Sequence, residues 1–128
     1  MGNKVKLVSN AQIYLDTRKL LDLILDITPN FPRQYKYSVG GKMHDIAVEL
    51  LHRIASAYMI REKETRINHL VLFQADFETL KTLVRIAIER EWFKGGRQTL
   101  IVDLMDSIGK QCTAWKNSLI ALLKDGSE

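Results

Sequence analysis

The sequence predicts an all-α protein, an up-down-up-down four-helix bundle. Three observations lead there. Both prolines of the 128-residue chain, Pro29 and Pro32, fall in one short segment, and glycine pairs stand at 40–41 and 95–96, so the helix breakers mark a few connections and leave long uninterrupted stretches. Within those stretches apolar residues recur at spacings of three and four, and strand-like alternation is absent. The connections are short, which makes consecutive helices antiparallel neighbours. Hydrophobic residues make up 46 % of the chain, enough to fill one core, and the length suits one domain.

The first helix is expected from about Asn10 to Thr28, with Asn10 as its N-cap. The second runs from about Gly40 to Arg61 and carries the stripe Met43, Ala47, Leu50, Ile54 and Ala57. The third runs from about Thr65 to Trp92, on the stripe Leu70, Phe73, Phe77, Leu80, Val84 and Ala87. The fourth runs from about Arg97 to Leu123, on Ile101, Leu104, Ile108, Cys112, Trp115, Leu119 and Leu122. The bundle then occupies 10–124, between an N-terminal extension (1–9) and a C-terminal tail (125–128), both expected to be flexible. Gly95-Gly96 lacks the G-K-[ST] ending of a phosphate loop and is read as the C-cap of the third helix. Gly109 is read as a point of close helix approach.

The first helix carries more apolar surface than one core uses. Leu20 to Ile27 reads LLDLILDI, six apolar residues in eight. At 100° per residue these span an arc of roughly 200°, twice the ~100° stripe that faces a single core. Asp22 and Asp26 confine the polar side to a narrow strip. The surplus predicts a second face that packs on another subunit, with Leu21 and Leu25 in a homo-oligomer interface.

Asn30 to Gly41, NFPRQYKYSVGG, holds Phe31, Tyr35, Tyr37, Arg33 and Lys36 and no acid. A turn needs Pro and Gly, not these rings and cations. In an up-down bundle the connections after the first and third helices emerge at one end. That end gathers Arg33, Lys36, Lys42, Arg90, Lys94 and Arg97, with Asp45, Glu89 and Glu91 among them. The opposite end mixes Arg61, Lys63 and Arg66 with Glu62 and Glu64. Net charge is +4, a mild bias towards polyanions. Phe31 is read as a staple of the bundle end, Tyr35 and Tyr37 as either packing or stacking rings, and Arg33 and Lys36 as contacts to phosphates or acidic partner residues.

No catalytic constellation is present. Glu49 and His52 form one E-x-x-H, but a di-iron bundle needs two such motifs and two further inward Glu residues, and His69 has Arg66 three residues before it. The pair also lies off the Met43–Ile54 stripe and reads as a surface pair. His44 is expected exposed, and His69 packed or at the surface. Cys112 falls on the core stripe as an inert thiol. No cofactor or metal is expected. The single cysteine fits a reducing cytoplasm. No apolar run approaches the ~20 residues of a membrane span, the N-terminus has no signal-peptide apolar region, and Lys6 breaks the myristoylation pattern begun by Gly2.

An F-P-R-x-x-K-Y loop leads into Val39-Gly40-Gly41-Lys42-Met43 and an amphipathic helix. Leu83-Val84-Arg85-Ile86-Ala87 closes the third helix, and the fourth carries Ile108-Gly109 and then Trp115. From about Tyr14 to Leu123 this order resembles the four-helix-bundle family of accessory variability determinant (Avd) proteins and the related 23S rRNA intervening-sequence proteins. The resemblance implies an up-down bundle assembled into a ring-shaped homopentamer. It implies a non-enzymatic, basic accessory protein of a diversity-generating retroelement. Its partners would be RNA or DNA and an error-prone reverse transcriptase that copies a template RNA into mutated cDNA. On that reading Arg33, Lys36, Tyr37, Lys42, Arg90, Lys94 and Arg97 are the nucleic-acid or polymerase contacts. The alternative is a structural or protein-interaction ring of the intervening-sequence type, with no reverse transcriptase partner.

Overall fold

The computed structural model describes residues 11–126. The extension at 1–9, the expected cap Asn10 and residues 127–128 lie outside the described residues. Helix α1 (Gln12–Ile27) is followed by a 3₁₀ turn at Thr28–Asn30 and by α2 (Arg33–Lys36), one turn long. The remaining helices are α3 (Val39–Met59), α4 (Lys63–Glu89) and α5 (Gly96–Lys124). No strand occurs among the described residues. Helix α1 packs on α3 and α5, and α4 packs on the same two, while the diagonal pairs barely meet. Four long helices therefore stand at the corners of a square in up-down-up-down order.

The core follows the periodicity. All five stripe residues of α3 and all six of α4 are buried. Helix α1 adds Ile13, Leu20, Leu23, Ile24 and Ile27. Burying each large side chain fully is worth about 1.5–3 kcal/mol, so the packed stripes rather than local propensity hold these helices together. On α5, Ile101, Ile108, Cys112 and Leu119 are buried, Met105 joins them, and Leu104 and Trp115 are half-buried. Leu122 departs from the expected stripe and is exposed. Gln111 on α5 bonds Asp16 on α1, which sets these two antiparallel helices level with each other there. Leu122 stands in the last turn of α5, past the level of Gln12, where α1 begins.

Each long connection is closed by a specific arrangement. Helix α3 stops where Ile60 turns extended. The Arg66 guanidinium reaches back from α4 to donate from Nε to the Ile60 carbonyl (2.6 Å) and from Nη2 to that of Tyr58 (3.5 Å). At the end of α4 the Trp92 amide donates to the Ala87 carbonyl (2.9 Å) and the Glu91 amide to Ile88 (3.0 Å). This pair of bonds is a Schellman closure, whose left-handed residue is usually glycine. Here it is Glu91, at φ 58°. Gly95-Gly96 therefore does not cap α4 as the sequence predicts. Gly95, at φ 80°, is the N-cap of α5, because the left-handed position falls four residues earlier. No helix among the described residues is long and apolar enough to cross a membrane.

Glu91→Gly is expected to stabilise the bundle by about 1 kcal/mol, the cost of a side chain in the left-handed region. The Lys94–Glu91 ion pair that it removes spans 3.6 Å between largely exposed side chains and contributes little. Thermal unfolding should show a midpoint raised by a few degrees; a lowered midpoint would show that the ion pair outweighs the backbone strain.

Candidate nucleic-acid interface

The basic segment is less irregular than its composition implies. Pro32 stands as the N-cap of α2, and the amides of Tyr35 and Lys36 both donate to its carbonyl, at 2.8 and 2.9 Å. One helical turn sorts the residues by angle. Positions 33, 36 and 37 share a face, and 35 points to the other side. Arg33 and Tyr37 are accordingly exposed, Tyr37 at 82 %, and Lys36 is half-buried. Tyr35 turns inward and stacks on Trp92, with ring centroids 4.9 Å apart and planes at 21°. Phe31 is buried and meets the same indole at 4.9 Å, which makes it the staple that the sequence predicts. The Arg90 guanidinium lies 6.0 Å from the ring centres of both Tyr35 and Trp92, within cation–π range.

The 3₁₀ turn folds back on the start of α3. A Cβ at Gly40 would come within 3.3 Å of Thr28 Cβ, so any larger residue would push the turn away by a few tenths of an ångström. Thr28 Oγ1 lies 2.8 Å from His44 Nε2. His44 is thus half-buried in a hydrogen bond, not exposed as its position near a helix start predicts, because the preceding turn covers it.

The seven residues singled out from the sequence come from four elements and meet at one end of the bundle. Arg33 and Lys36 belong to α2 and Tyr37 is its C-cap, Lys42 belongs to the first turns of α3, Arg90 and Lys94 to the α4–α5 connection, and Arg97 to α5. Arg33, Lys42, Arg90, Lys94 and Arg97 are exposed. Two of these also serve the fold: Lys94 faces Glu91, and Arg97 Nη1 donates to the Asp26 carbonyl near the end of α1 (3.3 Å). At the opposite end Arg66 is committed to the α3 terminus, and Tyr58 packs on Trp115 with centroids 4.5 Å apart.

The remaining candidates for chemistry have structural surroundings. Glu49 pairs with Arg53 Nε at 3.2 Å, an ion pair without hydrogen-bond alignment. Arg53 Nη1 lies 3.4 Å from His69 Nδ1. Burial, then the charges of Arg53 and His52, hold the His69 pKa below its usual value. His52 is exposed. Among the described residues no cluster of three His, Cys, Asp or Glu could hold a metal ion. Burial pushes the Cys112 thiol up to about 11, which keeps it protonated and unreactive at neutral pH.

A family model described as bAvd-like matches residues 7–119. The chain belongs to the bAvd-like family. The match runs from before α1 through most of α5, and it bears out the resemblance to Avd proteins. The family is an accessory rather than a catalytic one. No curated protein matches the chain.

Two features of this bAvd-like bundle escaped the sequence reading. The first is a polar link inside the helix square: Asp16 is buried, and its carboxylate accepts from Gln12 (2.8 Å) and from Gln111 across the α1–α5 interface (2.7 Å). The second is a groove of about 900 Å³ between α4 and α5, lined by Phe77, Val84, Ile88, Val102, Met105 and Cys112. Its signal was Gly109, where an added Cβ would touch Phe77 at 3.4 Å, and Val102, apolar yet half out of the core. Across the bundle Leu25 on α1 is 47 % exposed and Leu21 is half-buried, so the surplus apolar face of the first helix is real in the single chain.

Trp92→Ala is expected to remove both ring contacts, at a cost of about 2–4 kcal/mol. It should also release α2. Hydrogen exchange at the Tyr35 and Lys36 amides should accelerate more than exchange in α3, and Trp92→Phe should restore protection. Unchanged exchange would show that α2 holds its turn without the indole.

Proposed function

We propose that the protein is a non-enzymatic, nucleic-acid-binding accessory subunit of a cytoplasmic error-prone reverse transcriptase in a diversity-generating retroelement. There it would support copying of a template RNA into mutated cDNA. The observation that carries the reading is the gathering of Arg33, Lys36, Lys42, Arg90, Lys94 and Arg97 around one end of a bAvd-like bundle. Arg33 supplies a planar fork for phosphate oxygens, and Lys36 and Lys42 supply point charges. Such contacts position a nucleic acid without reading its sequence. The polymerase would dock on or beside the same end.

The proposal includes a ring of five copies. The Leu21/Leu25 ridge of α1, flanked by Asp22 and Asp26, would seat in the α4/α5 groove of the next copy, whose rim carries Lys81 and Arg85. Ridge and groove lie on different faces, so the contact is head-to-tail, the kind that closes into rings. Repetition around a ring turns a net charge of +4 per chain into a dense basic surface.

Binding of RNA or DNA should fall steeply with salt, with a log–log slope of about 0.7–0.9 per phosphate neutralised. The Arg33→Glu, Lys36→Glu double variant should lose most of the affinity, flatten the slope and co-purify less with the cognate reverse transcriptase, while circular dichroism stays unchanged. Fluorescence anisotropy that matches wild type would move the binding surface elsewhere.

Leu25→Lys should place a charge in the apolar contact at a cost of several kcal/mol and dissociate the assembly in light scattering. Leu21→Lys should do the same and also weaken the single bundle, since Leu21 packs partly on the core. A wild-type chain that is monomeric at micromolar concentration would overturn the assembly.

A further inference from the structure

We infer that the exposed face of α2 reads single-stranded nucleic acid, with Tyr37 as the ring on which an unpaired base stacks and Arg33 and Lys36 on its flanking phosphates. The inference rests on the nucleic-acid reading above and names the form of nucleic acid that this end takes. Its starting point is the division between two tyrosines two residues apart. Tyr35 is fixed against Trp92. Tyr37 is 82 % exposed, more than any other large apolar or aromatic side chain described. The backbone does not ask for it: Tyr37 has ordinary right-handed angles, φ −89° and ψ −30°, which most residues adopt.

The surroundings of the ring select its partner. Arg33 stands four positions before it, one turn back on the same side, and Lys36 is its neighbour in the chain, about 100° round the turn. Lys42 begins the next helix. Phosphates therefore meet charge on either side of an aromatic surface. In a duplex the bases are stacked on one another and paired, and only backbone is offered to a surface of this kind. The cations would meet duplex and single strand alike, but the ring gains a partner only from a base free to splay out. Stacking of this sort tolerates any base.

The ring is also held ready. Helix α2 is pinned by Tyr35 on Trp92, by Phe31 on the same indole and by the Thr28–Gly40 approach. A tyrosine has only two side-chain torsions to lose on binding. The phosphate-facing cations thus keep a fixed register with the base-facing ring.

The test uses the full chain and one labelled RNA strand without self-complementarity, alone and as a blunt duplex, by fluorescence anisotropy at low salt. Tyr37→Leu should weaken single-strand binding by about tenfold and leave duplex binding about unchanged, while Tyr37→Trp should bind the single strand at least as well as wild type. The Arg33→Glu, Lys36→Glu variant should lose both forms. Equal losses on the two forms in Tyr37→Leu, or no loss on either, would overturn the stacking role and leave the electrostatic reading standing. Failure of the wild type to bind either form would overturn the nucleic-acid reading itself. Retention of polyglutamate in that case would assign the face to an acidic protein. Because Tyr37 is so exposed, its variants should unfold at the wild-type temperature, which separates lost binding from lost fold.

Discussion

Helix α4 ends with Glu91 in the left-handed region, and that turn folds Trp92 back beneath Ala87. The placement of the indole governs the architecture of this end of the bundle. It lies where the α1–α3 connection passes, and it gives Phe31 and Tyr35 a common surface 4.9 Å from each ring centre. A helix of one turn has no stability of its own in water. Helix α2 exists because the far connection supplies a wall for one of its sides, and the side that remains is the one that carries Arg33, Lys36 and Tyr37. The backbone strain at Glu91 and the exposed basic face are two ends of one chain of cause.

The two ends of the bundle put their cations to different uses. Arg66 commits its guanidinium to the last carbonyls of α3, which fixes its place as part of that helix end. At the other end Arg97 makes one long bond to Asp26, Lys94 faces an exposed acid, and Arg90 lies on rings. These contacts orient the side chains while leaving most of their hydrogen-bonding capacity directed to solvent. A charge count already makes the end with α2 the more basic one. The further distinction between them lies in what each cation has already given to the fold.

The helices were legible because burial imposes a period that sequence displays directly. Every residue of the α3 and α4 stripes is buried, although α3 also buries Gly40 and Ile46, and the surplus on α1 announces Leu25. The convergence of the seven site residues followed from topology alone, since antiparallel neighbours bring alternate connections to the same end. What the sequence did not disclose was decided by tertiary contact. A four-residue helix leaves no periodic trace, so α2 read as an irregular connection, and the separate fates of Tyr35 and Tyr37 could not be told apart. Glycine propensity pointed to Gly95-Gly96 for the end of α4, yet the packing of Trp92 holds a glutamate in the strained position. His44 near a helix start looked exposed because the turn that covers it comes from the preceding connection. The α4/α5 groove is a matter of how two helices splay, which a stripe of buried residues does not record.

The dependence of α2 on Trp92 has a consequence in the order of synthesis. The chain emerges from the ribosome from its N-terminus, and residues 33–37 are outside long before residue 92 has been joined. Until α4 has closed and its indole is in place, the basic segment lacks the wall on which Phe31 and Tyr35 pack, and a single turn has no stability of its own. The face that carries Arg33, Lys36 and Tyr37 is therefore set late, at the point when three of the four long helices are complete. On the proposed function, a nascent chain would be a poor ligand for the message it is being read from, and a truncated product a poor competitor for the finished one.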